Sequence, residues 1–484
     1  MFLSLTIVVV RILLAAVAGW ILWKAWCRIA RRDSAAGRIV GVGLILRAFS
    51  AQGLFWASYL SLPIGRRMQD GDGFWKFAID SKVYFRYSRS LLGKGLHDLL
   101  LADRSLPSPV YLQSLAVFLL LFGVVVSVGA LLNLFAFWAC CEAVLLLGRL
   151  EGPSRLPTLI ALAALSFSPS LVLWSTQPLK DALFISVVAG FVVACDLWRK
   201  GWLAGDARWL PLVASGALLV GTLYAIVGIR WYLGILVCLL SFPLLLMTVV
   251  ASRRRIVAGI VTTLVFLLML QVVVFESGPY LPQPIARMLK GSLAPRETAR
   301  DLVSRVEESR AGFDATGGRS QIHEGKALAD IDEAAKPMLA VKTLPTSPVQ
   351  QQAESLPRSA IGRIAAGAVA VVIPRFVSEA LGIIHVVGAG GLWSVVEADT
   401  LLFDMLLLIV IFHVAVTAAA GAWRDPLFWL VALMTSGTAI LLTYTISNFG
   451  TLFRHRSMIL LGLSLLLVVT RASAPASTMS EPLD

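Results

Sequence analysis

The chain has 484 residues, of which 58% are hydrophobic and only 15% charged. That balance excludes an ordinary soluble domain, which sits near 45–50% apolar and about 25% charged. The formal net charge of +13 is spread over loops between apolar runs, a pattern that suits a membrane and anionic phosphates and argues against nucleic acid.

Apolar runs able to cross about 30 Å of hydrocarbon as helices recur from the first residues onward. They lack the alternation of barrel strands, so the expected fold is all-α: a polytopic membrane protein with about eleven transmembrane helices. Spans are expected at about 3–24, 38–62, 115–148, 156–176, 181–198, 209–228, 231–250, 256–275, 394–421, 427–446 and 457–471. The opening MFLSLTIVVVRILLAAVAGWILW has no basic leader region and no cleavage motif, and reads as a retained first span. Cys140, Cys141, Cys195 and Cys238 fall inside apolar runs and Cys27 at the end of one, which predicts neither a disulfide framework nor a thiolate metal site.

The runs divide the chain into an N-terminal transmembrane module, 1–275, carrying the polar loop 63–110; a loop and interfacial-helix region, 276–393; and C-terminal helices with a short tail, 394–484. Connectors bearing Lys24, Arg28, Arg31 and Arg32; Arg149 and Arg155; Arg199, Lys200 and Arg208; Arg253, Arg254 and Arg255; and Arg424 fall on one side of the eleven spans. By the positive-inside rule that side is the cytoplasm, which places the N-terminus outside and the C-terminus inside a bacterial cytoplasmic membrane. Three segments then face outward. They are 63–110, the polar 276–358, and 359–393, whose Pro374, Arg375 and glycines suggest a helix lying in the interface.

The first of these segments runs against the charge rule. It carries Arg66, Arg67, Lys76, Lys82, Arg86, Arg89, Lys94 and Arg104, eight cations on the outer side. A helix over 74–92 would put Lys82, Arg86 and Arg89 on one face and Asp80, Tyr84 and Tyr87 on its neighbour. Cations there can hold a lipid phosphate while Asp80, with Asp70 and Asp72 as rivals, takes a proton from a hydroxyl. The same residues also suit an interfacial helix with snorkelling cations and a tyrosine belt.

Further along, SFSPSLVLWSTQPLKDALFIS brings Lys180 and Asp181 to the outer surface, as a phosphate-holding turn or as a helix start capped by Asp181. GIRWYLGILV puts Arg230 at an outer hairpin, a further cation or an interface anchor. ISNFGTLFRHRSMILL puts Arg454, His455 and Arg456 outside before the last span. Arg375 and Glu379 lie one turn apart, His385 is a weaker signal, and Asp404 and His413 are intramembrane ionisable residues that functional sites or packing can each account for. No P-loop, GxSxG, HExxH or dinucleotide fingerprint is present. What these signals share is convergence on one face.

The pieces GDGFWKFAIDSKVYFRYSRSL, PSLVLWSTQPLKDALFIS, GIRWY and NFGTLFRHR, in that order, resemble bacterial membrane glycosyltransferases of the GT-C type, more closely their polysaccharide-biosynthesis relatives. The resemblance covers most of the membrane part as short scattered motifs. It implies a GT-C-like helical fold with a catalytic carboxylate in the first large outer loop, for which Asp80 is the best match. It also implies a polyprenyl-phosphate-linked sugar as donor and inversion of the anomeric centre; the partners expected beside that donor are membrane lipid and a glycan, lipid or other acceptor hydroxyl. Two features depart from the family pattern: an extra N-terminal span precedes the loop, and the adjacent acidic pair is missing. A divalent metal would then need a second ligand that the sequence does not supply. Two other readings compete. One is an O-antigen-type polymerase or ligase acting on lipid-diphosphate-linked glycan, and the other a non-catalytic export component or transporter, for which no internal repeat is visible.

Overall fold

In the computed structural model the described residues are 2–277 and 391–470, apart from 94, 96–98, 100–105, 107, 149, 151, 153–154, 204–208, 420 and 446–448. They form helices α1 (Phe2–Arg32), α2 (Ser34–Tyr59), α3 (Ile79–Leu92), α4 (Pro109–Phe122), α5 (Ser127–Leu147), α6 (Arg155–Phe167) and α7 (Pro169–Ser175). These are followed by α8 (Asp181–Leu203), α9 (Trp209–Ile229), α10 (Trp231–Ala251), α11 (Arg255–Ser277), α12 (Gly391–Ala419), α13 (Pro426–Thr445) and α14 (Phe449–Val469). A small antiparallel hairpin, β1 (Gln69–Gly71) and β2 (Phe74–Trp75), precedes α3.

Eight of the described helices are long and apolar enough to cross a membrane, or nine if the bent pair α6–α7 counts as one span. The protein is a multi-pass helical membrane protein. The eleven expected spans exceed this number, which is counted among the described residues alone. Within the run 115–148, Gly123, at φ +108°, ends α4, and the crossing helix is α5. The run 156–176 bends by 48° at Ser168–Pro169. The segment 427–446 forms α13, Pro426–Thr445. The last helix begins at Phe449, before the expected 457, and so takes Arg454, His455 and Arg456 into its first turns.

Helix α8 is the inner member: 67% of its apolar window is buried, against 6% for α1. It packs against α5, α9 and α14. The outward faces of α1, α10, α11 and α12 keep large residues such as Trp20, Leu246, Leu264 and Phe412 exposed, as lipid-facing surfaces do.

Ion pairs sort the connectors into the ends of the bundle. Asp33 caps α2 by accepting from the amides of Ala35 (2.8 Å) and Ala36 (2.9 Å), and pairs with Arg155 (2.8 Å). Arg32 reaches Glu142 (3.1 Å), Arg199 reaches Asp425 (2.7 Å), and Lys200 pairs with Asp196. The cationic connectors 32–33, 155 and 199–200 therefore lie away from the start of α8. At the opposite end of the helices, Ser58 at the end of α2 donates to the Phe74 carbonyl (2.7 Å), and Ser108 before α4 donates to the Ile229 carbonyl (3.0 Å).

Candidate functional site

The segment 69–92 is built in two parts, and only the second is α-helical. Asp72 and Gly73, with φ of 52° and 87°, form the two-residue turn of the hairpin, the Asp-Gly pairing that suits a mirror-image turn. The expected helix over 74–92 accordingly starts late, at Ile79, after a 3-10 turn over Lys76–Ala78. Gly73 also sits against the Phe55 ring, where a Cβ would lie 2.5 Å from a ring carbon.

Helix α3 then splits its residues by face as the spacing predicts. Tyr84 is buried and Asp80 turns inward, while Arg86 and Arg89 are exposed. Lys82 pairs with Asp70 at the surface (2.9 Å), and Asp72 is exposed in the hairpin turn. Of the α3 residues in question, Asp80 and Tyr84 therefore join the buried polar cluster, and Lys82, Arg86 and Arg89 lie outside it.

That cluster joins four distant stretches of sequence. Arg454, in the first turns of α14, donates through Nη1 to Asp80 (2.6 Å) and through Nε to Asp181 (2.7 Å). Asp181 also accepts from Arg230 Nη2 (2.5 Å), and Arg230 Nη1 donates to the Tyr232 hydroxyl (3.0 Å). Lys180 donates to Ser108 Oγ (2.6 Å), whose own proton goes to the Ile229 carbonyl, and its ammonium lies 5.4 Å from the Tyr84 ring centroid. The cluster holds three cations, Lys180, Arg230 and Arg454, against two carboxylates, so it carries one excess positive charge when Lys180 is protonated.

The two carboxylates are not equivalent. The Asp181 side chain is 3% exposed and clamped by two guanidinium groups, whereas that of Asp80 is 26% exposed. Asp181 is therefore the fixed counter-ion, and Asp80 the one a solute can touch. Burial, and next the Arg230 charge, push the Lys180 ammonium down from its ordinary value to about 7. Burial and the neighbouring Asp80 charge hold the Tyr84 phenol above its ordinary value. Beside Tyr84, with ring centroids 5.4 Å apart, lies the fully buried Tyr111, whose hydroxyl has no hydrogen-bond partner among the described residues; the same holds for Arg230 Nε. These spare groups are donors, so the ligand class they suit is an acceptor-rich one, an oxyanion above all. Asn133 Oδ1, near the 175–177 turn, is likewise unpartnered.

The turn 176–180 that delivers Lys180 is itself tied down. Asn133 donates to the carbonyls of Ser175 (2.9 Å) and Gln177 (2.8 Å), and Gln177 donates to the Gly73 carbonyl (3.2 Å). Gly129 of α5 lies so close that a Cβ there would meet Pro178 at 2.5 Å. Hairpin, turn and α5 thus form one frame.

Arg456 is placed elsewhere. It donates to Thr400 (3.1 Å) and Asp404 (3.2 Å) of α12 and lies over the Phe403 ring. Asp404 is thereby accounted for as the partner of a buried cation. His455 is buried, close enough for its charge to act on Asp181, and His413 lies near Leu467 and Thr470. Arg375, Glu379 and His385 lie outside the described residues. Among the described residues no three His, Cys, Asp or Glu side chains converge, and the cluster's two carboxylates are engaged by arginines. These residues do not fit a divalent-metal site. Tyr111, Ser108, Asn133 and Gln177 were not evident from sequence; an asparagine inside an apolar run is the signal that could have flagged Asn133.

Compared with known protein families, curated proteins and solved structures, the chain gives no significant match to any of them.

Proposed function

We propose that the protein is a membrane glycosyltransferase that moves a sugar from a polyprenyl-phosphate donor to a glycan, lipid or other acceptor at the outer face of the cytoplasmic membrane. The observation that carries this reading is the chain Arg230–Asp181–Arg454–Asp80 with Lys180 beside it. Four polar signals from separate segments meet in one partly buried cluster with spare donors. In the transfer, an acceptor hydroxyl oxygen bonds to the anomeric carbon as the bond from that carbon to the phosphate oxygen breaks. The hydroxyl proton passes to Asp80, and the lipid phosphate leaves with the electron pair. Lys180 and Arg230 stabilise the charge that develops on the phosphate, in a site already organised to receive it. Arg454 orients Asp80.

A second reading draws support from one specific contact. Arg454 occupies Asp80 Oδ2, and an O-antigen-type polymerase or ligase acting on lipid-diphosphate glycan needs no acidic base. In a deletion strain, polyprenyl-phosphate-linked sugars should accumulate in extracted lipid, and plasmid-borne wild type should clear them. Failure of Asp80→Asn to clear them, with His455→Ala active, supports the first reading, and the reverse pattern supports the second. No change in any lipid-linked glycan on deletion would count against both.

A further inference from the structure

The break between α6 and α7 frees backbone groups, and several can be followed to their partners. Pro169 has no N–H, so the Leu165 carbonyl lacks the donor that a continuous helix would supply. The Ser170 amide, which would serve the Ser166 carbonyl, points instead to Asp399 Oδ1 (3.1 Å). The carbonyls of Leu165 and Ser166 are taken by one residue of another helix. Arg47, deep in α2, donates through Nη2 to Leu165 O (2.7 Å) and through Nη1 to Ser166 O (2.7 Å) and to Gly43 O of its own helix (3.2 Å). On the other side, Asp399 of α12 accepts from the Ser168 hydroxyl (2.7 Å) as well as from the Ser170 amide.

Arg47 and Asp399 are each 3% exposed. The Arg47 guanidinium lies 3.8 Å from the Phe137 ring centroid, and among the described residues no carboxylate is bound to it. A cation in a span without a counter-ion is costly unless it serves a polar purpose, and unsatisfied carbonyls in lipid are costly too. Each cost offsets the other here: a cation meets the carbonyl end of α6, where the helix dipole is negative. The approach depends on Gly43, where a Cβ would lie 2.9 Å from Ser166 Cβ and 3.0 Å from the Phe137 ring.

We propose that Arg47 and Asp399 are a pair of positioning residues that hold the α6–α7 break open at a fixed bend, and thereby set the 176–180 turn that places Gln177 and Lys180 in the site. Without the bend, α7 would continue the line of α6, and Lys180 would leave the Ser108 hydroxyl and the Tyr84 ring. The pair draws its two members from opposite parts of the chain, so it also fastens α12 to the front of the bundle. This frame serves the oxyanion site whatever transfer it carries out.

The test separates positioning from stability. In purified protein, the Lys180 titration midpoint is read by acylation across pH with mass-spectrometric counting, and thermal unfolding in detergent is read alongside. Wild type should show a midpoint near 7, because the placed lysine is desolvated. Arg47→Met and Asp399→Asn should lower the melting temperature and move the midpoint upward by units toward the ordinary 10.5. Arg47→Lys, which keeps a cation but can serve fewer carbonyls, should fall between. Adding Pro169→Ala to Arg47→Met supplies the missing N–H to Leu165, so the melting temperature should recover while the midpoint stays high. Two results would overturn the proposal: a midpoint unmoved by Arg47→Met, Arg47→Lys and Asp399→Asn, or a double variant in which midpoint and melting temperature recover together.

Discussion

On the proposed function, Lys180 should make anion binding depend on pH, in a way that can be worked out beforehand. The groups facing it are Ser108 before α4, Tyr84 and Asp80 of α3, Asp181 of α8, Arg230 between α9 and α10, and Arg454 of α14; Tyr111 of α4 lies on the far side of Tyr84. Burial is the largest cause of its depressed value of about 7, ahead of the Arg230 charge. An anion seated beside it reverses much of that penalty, so binding takes up a proton wherever the free site is neutral. Affinity for an anion that does not itself titrate should be level below pH 7 and fall above it, by up to ~10-fold per unit. Between pH 7 and 9 the loss reaches up to ~100-fold. Lys180→Arg, charged throughout, should bind with a level profile; Lys180→Met should be level and weak. The probe is a long-chain phosphodiester, titrated calorimetrically in two buffers of different ionisation enthalpy so that proton uptake is read directly. A His455→Gln control removes the histidine whose charge acts on Asp181. The sign for stability is the opposite: a lysine depressed in the folded state penalises folding below about pH 7. That penalty fades as pH rises toward 10.5, so the ligand-free protein gains stability over that window and Lys180→Met does not. A level wild-type profile from pH 6 to 9, or a slope that survives in Lys180→Arg, would refute the reasoning.

Other outcomes follow from the same contacts. Arg456→Met strands the buried Asp404 and should cost about 3–5 kcal/mol in denaturant unfolding, while Arg456→Met with Asp404→Leu should cost much less. Neither should alter anion binding, since Arg456 lies apart from the cluster. Asp181→Asn leaves two guanidinium groups facing each other, so the ligand-free protein should lose stability and an added anion should restore more of it than in wild type. Asp33→Ala removes the α2 cap, at a cost of about 1 kcal/mol. The Arg155 hydrogen bond, with the Ala36 and Ala35 amides, holds the Asp33 carboxyl below its ordinary 3.8, so in wild type this contribution persists at neutral pH and is lost only as pH falls below that value.

Much of the site was legible in sequence, because cations on the side where the charge rule disfavours them need a reason to be there. In the expected topology Lys180, Arg230 and Arg454 stood out on that ground, Asp80 as a carboxylate beside the α3 cations and Asp181 as the neighbour of Lys180, and the structure brings these five together. What composition could not give was direction. Consecutive residues on a helix point apart, so Arg454 turns to Asp80 while Arg456 turns to Asp404, and α3 sends Tyr84 inward but Arg86 and Arg89 outward. The breaks at Gly123 and Ser168–Pro169 were not legible, because hydropathy sums over positions where the backbone turns without a fall in apolarity. The hairpin at 69–75 was written in its Asp-Gly turn, though aromatic residues on either side also suit a helix face. Arg47 and Asp399 were hidden for a different reason. Their meaning lies in carbonyls and amides left over by a proline more than a hundred residues away, and no local pattern records it.

The most direct test is equilibrium binding of a polyprenyl phosphate of single chain length to the protein in nanodiscs. Wild type should bind it saturably. Arg454→Met, which removes the link between Asp80 and Asp181, should lose at least ~10-fold in affinity. Arg86→Ala with Arg89→Ala, on the exposed face of α3, should bind within about twofold of wild type. No saturable binding by wild type, or equal binding by Arg454→Met with loss in the α3 variant, would contradict a lipid-phosphate site at this cluster.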